Sequence, residues 1–525
     1  MAIAGVGMVF LDPTEQFRQL QGQLHHYADS IDLFDQDDFD ILVIPSFSID
    51  QDQLAKVPGF LHYEERLLFS LIRLRNPQTR LIYVTAQPLA PMIIDYYLQL
   101  LPGIPFSHAR DRLLLLSTHD ASRQPLSQKI LARPRLMERI RQAMRPDKSY
   151  MVCFNSTELE RDLSLKLGVP LLAASPDLLY WGSKSGSREI FAAANVPHPD
   201  GSGLVWTVPD LITATAALWE RNPKAQRVVI KLNQGFSGEG NGVLDLPIGP
   251  GGDPSTAIAN ALPQLRCQAQ GETWEGFARR IPELGAIVEL FIEGEEKRSP
   301  SFQGYITPAG NVKILSTHDQ ILGGPDGQIY LGCRFPADAA YRLPLQEFGL
   351  RVGAALAAKG ALERYGVDFI AVNRGGTWEV QAIEINLRKG GTTHPFMALQ
   401  LLTNGLYDGN TGEFHAQGRP KYYVASDNLQ KPAYRGLLPT DLMDIVTRHR
   451  LHFDSSTQTG TIFHLMGALS EFGKLGLTSI GNSFAEAEAL YHRVEQVLDL
   501  ETEPHQSEGM RDHTLIAPLP LTWRS

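Results

Sequence analysis

Five residues, Glu384–Ile385–Asn386–Leu387–Arg388, constrain this chain more than any other segment. A carboxylate, an amide and a guanidinium alternate there with two apolar side chains. The preceding Val380–Gln381–Ala382–Ile383 is mostly apolar and β-prone, so the spacing predicts a strand. Period-two alternation then puts Glu384, Asn386 and Arg388 on one face, and Ile385 and Leu387 on the other. A half-buried polar row of this kind is costly unless something binds to it. Hard oxygen donors beside a fixed cation suit a Mg²⁺–phosphate site. The alternative is a solvent-exposed face whose charges neutralise one another.

The rest of the chain narrows the choice. Its 525 residues hold two to four domains with sizeable cores. A net charge of −10 argues against a broad nucleic-acid footprint. The three cysteines, Cys153, Cys267 and Cys333, are far apart and lack metal-ligand spacing, which predicts a reducing, cytoplasmic setting. Residues 1–17 carry no basic leader pattern, and no apolar run is long enough to span a membrane.

Strand-like and helix-like runs alternate over the first 180 or so residues. FDILVIPSF, RLIYVTA, SYMVCFNST and VPLLAA read as strands; HYEERLLFSLIRLR, PMIIDYYLQLL and Glu158–Leu167 read as helices. That order predicts a parallel α/β layer. Further on, RVVIKL and VLDL flank the glycine-rich loop GFSGEGNG, and AIVELFI is another strand. Hairpins are expected with turns at 308–311 and 373–377, and a strand pair near 460–481.

Gly235, Gly238, Gly240 and Gly242 let backbone N–H groups approach an anion, and Ser237 adds a hydroxyl. Lys231 ends the strand before them. A glycine-rich hairpin turn is the plainer reading. The loop is neither a Walker A motif nor a dinucleotide fingerprint, because it lacks GxxxxGK[ST] and leads into a strand. The Gly473–Lys474–Leu475 lookalike also fails on spacing. Backbone beside Phe291 in the segment from Glu289 to Glu296 could read an adenine edge, with Glu296 on ribose; solvated acids at a strand end are the alternative. His318, His394, and the turn Gly390–Thr393 are candidates for an acceptor or anion site, though a lone histidine is more often a hydrogen-bonded turn residue. His464 reads as a core histidine.

Taken in order, VVIKLNQGFSGEGNG, VELFIEGEE and GVDFIAV…EINLR resemble the ATP-grasp superfamily, with Lys184 in GSKSGSR and the NVPHPDG turn upstream. NLRKGGTTHPF, YLGCRFP and TIFHLMGALSEFGKLGLTSIG resemble the pheganomycin-type peptide ligases within it. The resemblance implies an α/β (α+β ATP-grasp) fold. It comprises a Rossmann-like pre-ATP-grasp layer at 1–180, a two-lobed catalytic unit at 181–420 with a lid at about 188–292, a small α+β domain at 421–501 and a flexible tail at 502–525. It implies that Lys184 and Lys231 bind ATP phosphates, that the 235–242 loop closes over them, and that Ser237, Gly238, Gly240 and Gly242 contribute to that loop. Glu289, Phe291 and Ile292 would frame adenine and Glu296 the ribose. Asp368, Glu384 and Asn386 would hold two Mg²⁺ ions. Arg388 would face the reacting carboxylate. Arg298 and Arg334 could bind substrate carboxylate or phosphate; as isolated arginines they read equally as surface charges.

The implied reaction is ATP-dependent ligation of a carboxylic acid to an amino acid or peptide amine through an acylphosphate, releasing ADP and phosphate. No protein nucleophile is required. A kinase of the same fold and a non-enzymatic ATP-binding regulatory protein are the rivals. The implied partners are small molecules, with no nucleic acid or membrane, and a homodimer is one candidate assembly.

Overall fold

A computed structural model describes residues 12–27, 38–49, 51–54, 57–101, 103–234, 240–246, 253–269, 271–323 and 329–503. Residues 504–525 of the expected tail and most of the glycine loop, including Ser237 and Gly238, lie outside the described residues; Thr502 still belongs to the last helix, Phe484–Thr502.

The first unit is a parallel sheet. Strands β1 (Asp40–Ile44), β2 (Arg80–Thr85), β3 (Leu113–Ser117) and β4 (Ser149–Cys153) run in the order β3–β2–β1–β4. Every side chain of β1 is buried, as expected of a central strand covered by helices on both faces. The helix Glu158–Leu167 starts with a capping box from Thr157 and Glu160. The VPLLAA run departs from expectation: it makes only a single bridge, Met151 to Leu171. Without a following residue in register it cannot propagate a ladder.

The second unit is a small antiparallel sheet. Strands β5 (Arg227–Leu232), β6 (Asn241–Asp245), β7 (Arg266–Cys267) and β8 (Ala286–Leu290) run in the order β7–β6–β5–β8. Val228, Ile230, Leu232 and Val288 turn into a private core with Leu211, Phe277 and Ile281. The opposite face carries Val229, Lys231 and Glu289. Ile190 and Phe191, placed in the lid by the sequence reading, instead pack into the core beneath the long sheet.

That long sheet is antiparallel and has nine strands. It contains β9 (Lys297–Arg298), β10 (Pro300–Ile306), β11 (Val312–Gly323), β12 (Ile329–Phe335), β13 (Glu363–Arg374) and β14 (Thr377–Asn386). A separate three-stranded sheet follows: β15 (Leu406–Asp408), β16 (Glu413–Ala416) and β17 (Arg419–Pro420). The chain then returns through β18 (Tyr422–Gln430), β19 (Gly460–His464) and β20 (Lys474–Gly481). The order is β14–β13–β10–β11–β12–β18–β20–β19, with β9 on β13. The last strands therefore extend the long sheet through β12–β18 pairing, where the sequence suggested a self-contained domain. One core joins Leu67, Leu71 and Tyr97 of the first unit to Phe396, Tyr423, Phe463 and Leu477. Both expected hairpins form. The tight β13–β14 turn needs positive φ at Gly375 and Gly376, with values of +66° and +97°.

Candidate active site

The β13–β14 pair positions the carboxylates. Asp368 stands directly opposite Glu384, and Gly366 opposite Asn386. A β-bulge at Ile383 separates two register segments, since Phe369 pairs with Ala382. The extra residue changes the phase of the strand. Val380 and Ala382 face the core before it, and Ile385 and Leu387 face the core after it. Glu384, Asn386 and Arg388 are thereby re-aimed into a cavity of about 740 Å³.

Asp368 accepts from Gln320 Nε2 at 2.7 Å and from Asn386 Nδ2 at 2.9 Å. Burial and the adjacent Glu384 charge push its carboxyl up to about 6, against opposing hydrogen bonding from Gln320 and the charges of Lys184 and Arg388. Glu384 pairs with Lys184 at the start of the helix Lys184–Ala193. Asn233 anchors that helix start. Its side-chain oxygen accepts from Ser185 N at 2.9 Å, and its carbonyl from Lys184 N at 3.1 Å.

Arg388 donates to the Lys389 carbonyl at 3.2 Å. Burial lowers its basicity, while Glu384 and Asp368 act to raise it. The cavity wall also includes Ser301, whose buried Oγ has no hydrogen-bond partner. Gly390, Gly391 and Thr392 lead into the helix Thr393–Thr403 on the same wall, so the positive end of an eleven-residue helix faces the cavity.

The lid sheet supplies the opposite side. Lys231 Nζ lies 2.5 Å from Glu289 Oε2, and Arg188 Nη1 lies 2.9 Å from Glu289 Oε1. Burial opposes ionisation of Glu289, but these two cations outweigh it and hold the carboxyl below its usual range. The side chain of Glu289 thus fixes Lys231, and Glu289 itself lines the cavity. Phe291 and Ile292 do line the cavity. Arg227 and Lys297 lie over the Phe291 ring, at 3.9 and 4.3 Å from its centroid.

Several expected site residues fall elsewhere. Glu296 is exposed outside the cavity lining, and accepts from Asn373 Nδ2 at 2.7 Å. Arg298, by contrast, is exposed yet does line the cavity, 3.7 Å from Glu296. Arg334 lies outside the cavity lining and pairs with Glu488 at 2.5 Å. Its neighbour Cys333 is paired with Gln320, so strand alternation turns Arg334 to the opposite face. Gly242 sits inside β6, and a Cβ there would meet Leu265 at 2.7 Å. Its missing side chain serves packing. The Gly240 carbonyl accepts from Leu232 N at 2.8 Å, closing the base of the β5–β6 hairpin.

His318, His394 and His464 are all buried. His318 bonds Tyr423 Oη at 2.6 Å, and burial pulls its pKa down to about 3. His394 bonds Tyr97 Oη at 3.1 Å and stacks on His464, with ring centroids 4.0 Å apart. Burial first, and His464 second, push His394 well toward its neutral form. These are structural histidines beneath the cavity wall.

Sequence reasoning missed Arg188, Gln320, Arg66 and Lys474. Arg188 and Gln320 carried no signal, because each is defined by a partner on another strand. Arg66 is masked among apolar helix positions, and Lys474 lies in the rejected Walker-like triplet.

A parallel first layer, a lid sheet bearing a buried lysine and a long antiparallel sheet bearing opposed carboxylates are the parts of an ATP-grasp enzyme. The IQCH-like ATP-grasp family model matches residues 178–248 and 256–409, and the PGM1 C-terminal domain model matches residues 441–494. The L-propargylglycine–L-glutamate ligase of Streptantibioticus cattleyicolor is 31% identical over 469 residues, covering 87% of this chain and 93% of that protein. IQ motif-containing protein H of Danio rerio is 22% identical over 420 residues, covering 71% of this chain and 40% of that protein. Among solved structures, the biotin carboxylase domain of Hydrogenobacter thermophilus 2-oxoglutarate carboxylase, complexed with MgADP and bicarbonate, has a TM-score of 0.52. It is 13% identical over 88% of this chain and 89% of its own. Campylobacter jejuni biotin carboxylase in an ATP-analogue complex gives 0.51 at 12% identity, over 86% and 89% of the two chains. At such identity these two show the fold alone. The chain belongs to the ATP-grasp carboxylate–amine ligases, in the branch of the pheganomycin-type peptide ligases. It is a ligase that forms a carbon–nitrogen bond.

Proposed function

We propose that this ligase activates a substrate carboxylate with ATP as an acylphosphate, and couples it to the α-amino group of an amino acid or short peptide. The observation that carries this reading is one cavity lined by Lys231, the opposed Asp368 and Glu384, and Arg388. The related ligase takes L-propargylglycine and L-glutamate by name, so amino acids on both sides are the first pair to try. The unpaired cysteines and the lack, among the described residues, of a helix able to cross a membrane support a cytoplasmic enzyme. A homodimer is the assembly we favour, from the resemblance alone.

The residues fit Mg²⁺. Two carboxylates stand in direct register, one of them raised by burial and then by its neighbour's charge, a pair that a bound cation would stabilise. An amide oxygen at Asn386 and the orphaned Ser301 hydroxyl lie beside it. Asp368, Glu384 and Asn386 would hold the metal, up to two ions, which would offset charge on the transferring phosphoryl group. Lys231, braced by Glu289, and Lys184 supply fixed positive charge for phosphate oxygens. Phe291 and Ile292 provide an apolar wall for a base. Arg388 holds the reacting carboxylate and then the acyl oxygen as charge develops there. The helix end at Thr392–Thr393 faces the same space. The coupled amine attacks the acyl carbon, phosphate leaves, and an amide remains.

The direct test is release of ADP and phosphate over a matrix of amino acids, peptides and guanidino acids, with mass detection of products. An amide with stoichiometric free phosphate is expected. Phosphate retained on an acceptor indicates the kinase, and nucleotide binding with no turnover across the matrix indicates the non-enzymatic reading.

A pH dependence follows from Asp368. Its folded pKa of about 6 lies above the ordinary value of 3.8. The folded, metal-free protein therefore holds this proton more tightly than the unfolded chain, and that stabilising contribution is lost as pH rises from about 4 to about 6. A cation must displace the same proton. Affinity for Mg²⁺·ATP should fall roughly tenfold per pH unit below 6 and level off above 7. Calorimetric titration checks this. An affinity flat from pH 5 to 8 contradicts the assignment of Asp368 as a ligand.

A further inference from the structure

The end of the cavity remote from the lid is walled by Phe47, Leu54, Tyr63 and Arg66 of the first unit and by Lys474 of β20. Lys474 is 1% exposed, and its ammonium makes one hydrogen bond, to Tyr63 Oη at 2.9 Å. Among the described residues no carboxylate pairs with it. An ammonium has three donors, and burying one without a counter-charge is costly. Arg66 flanks the same aromatic ring, its guanidinium carbon 4.0 Å from the Tyr63 centroid and the Lys474 ammonium 5.1 Å from it.

Arg66 is held from behind. It pairs with Asp427, whose other oxygen lies 2.5 Å from His464 Nε2. Burial opposes the charge on Asp427, but Arg66 and His464 hold its carboxyl well below the usual range. Arg66 and Asp427 therefore cancel, and the buried Arg66 Nε has no hydrogen-bond partner among the described residues. The positive charge left over at this end is Lys474. Two fixed cations with unfilled donors, set among apolar side chains, form a receptor for a carboxylate.

We propose that Lys474 and Arg66 bind the spectator carboxylate of a substrate, the one that is not activated. The inference rests on the ligase reading above. It assigns a job to that reading's missing end: the reacting carboxylate takes Arg388, and a second carboxylate needs its own cation to remain near Asp368 and Glu384. The carboxylate comes from the amine substrate's α-carboxyl group or from a second carboxyl on the acid. Phe47 and Leu54 beside it suit an apolar side chain. The site draws on two units far apart in sequence, so substrate recognition requires the first layer and the last strands together.

The test uses the full chain and a productive acid–amine pair from the product matrix, each partner also supplied as its carboxamide. Wild type should prefer the free carboxylate over the carboxamide on one partner by roughly 10- to 100-fold in kcat/KM. Whichever partner shows the preference is the source. Lys474→Met should abolish that preference, mainly through KM, with the Kd for ATP unchanged. It should also raise the melting temperature of the substrate-free protein, since it removes an uncompensated buried charge. Arg66→Lys, which keeps the charge but loses the fork, should weaken the preference partially. A preference that persists intact in both variants overturns the proposal. Failure of the ligase reading is separately visible as no ADP release with any pair. Calorimetric titration of L-glutamate onto the protein with Mg²⁺ and a non-hydrolysable ATP analogue then decides the carboxylate site: equal affinity in wild type and Lys474→Met overturns it.

Discussion

Glu384→Ala and Arg388→Ala are each expected to lower turnover about 10²- to 10³-fold or more, measured as ADP release at saturating substrates. Glu384 faces Asp368 in register and pairs with Lys184, so its removal takes away the partner of a buried lysine together with the carboxylate proposed above as a metal donor. Arg388 makes one hydrogen bond, to a neighbouring carbonyl, and the rest of its guanidinium lines the cavity. Its loss removes a fixed positive charge from the cavity, at the proposed position of the acyl group, without dismantling an ion pair among the described residues. The two variants should therefore differ in character. Arg388→Ala should stay folded and bind ATP, whereas Glu384→Ala should lose Mg²⁺-dependent nucleotide affinity as well. Near-normal turnover in both would remove this strand from the reaction.

Glu289→Ala is expected to destabilise the β5–β8 unit by about 3–5 kcal/mol, because it strands the buried Lys231 and the partly buried Arg188 without their shared counter-charge. Arg188 also donates to the Pro199 carbonyl at 2.8 Å, so the lost carboxylate loosens the joint between the helix at 184–193 and strand β8. Chemical denaturation followed by tryptophan fluorescence reads the change, with Trp274 and Trp219 in the lid core as reporters. Glu289→Gln, which keeps one hydrogen bond, should cost less. A shift under about 1 kcal/mol for Glu289→Ala would mean that solvent or another group compensates both cations.

The sequence carried the elements well where one face is apolar and the other polar. Strand β14, the 308–311 turn and the 373–377 turn all follow from local pattern and turn chemistry. It carried less where a residue's role depends on a partner. Glu289 looked like a frame for a base, and nothing local showed that it also braces Lys231 and Arg188. Arg334 looked like a substrate arginine, yet it faces away from the cavity because alternation runs from Cys333. Gly242 looked like part of a phosphate cradle and is a packing glycine. The bulge at Ile383 had no local signature, since a strand with one extra residue reads like any other.

The sequence by itself determined the order of strands and helices, the row of Glu384, Asn386 and Arg388, and the lysine ahead of the glycine loop. These depend on spacing along one segment, which periodicity reports directly. Only the tertiary structure decided that the final strands continue the catalytic sheet, and that Arg66 and Lys474 meet across one tyrosine ring. It also decided that Asp368 leans on Gln320. Those contacts join residues tens to hundreds of positions apart. Their energies come from desolvation and ion pairing between separate elements, and no local pattern records them.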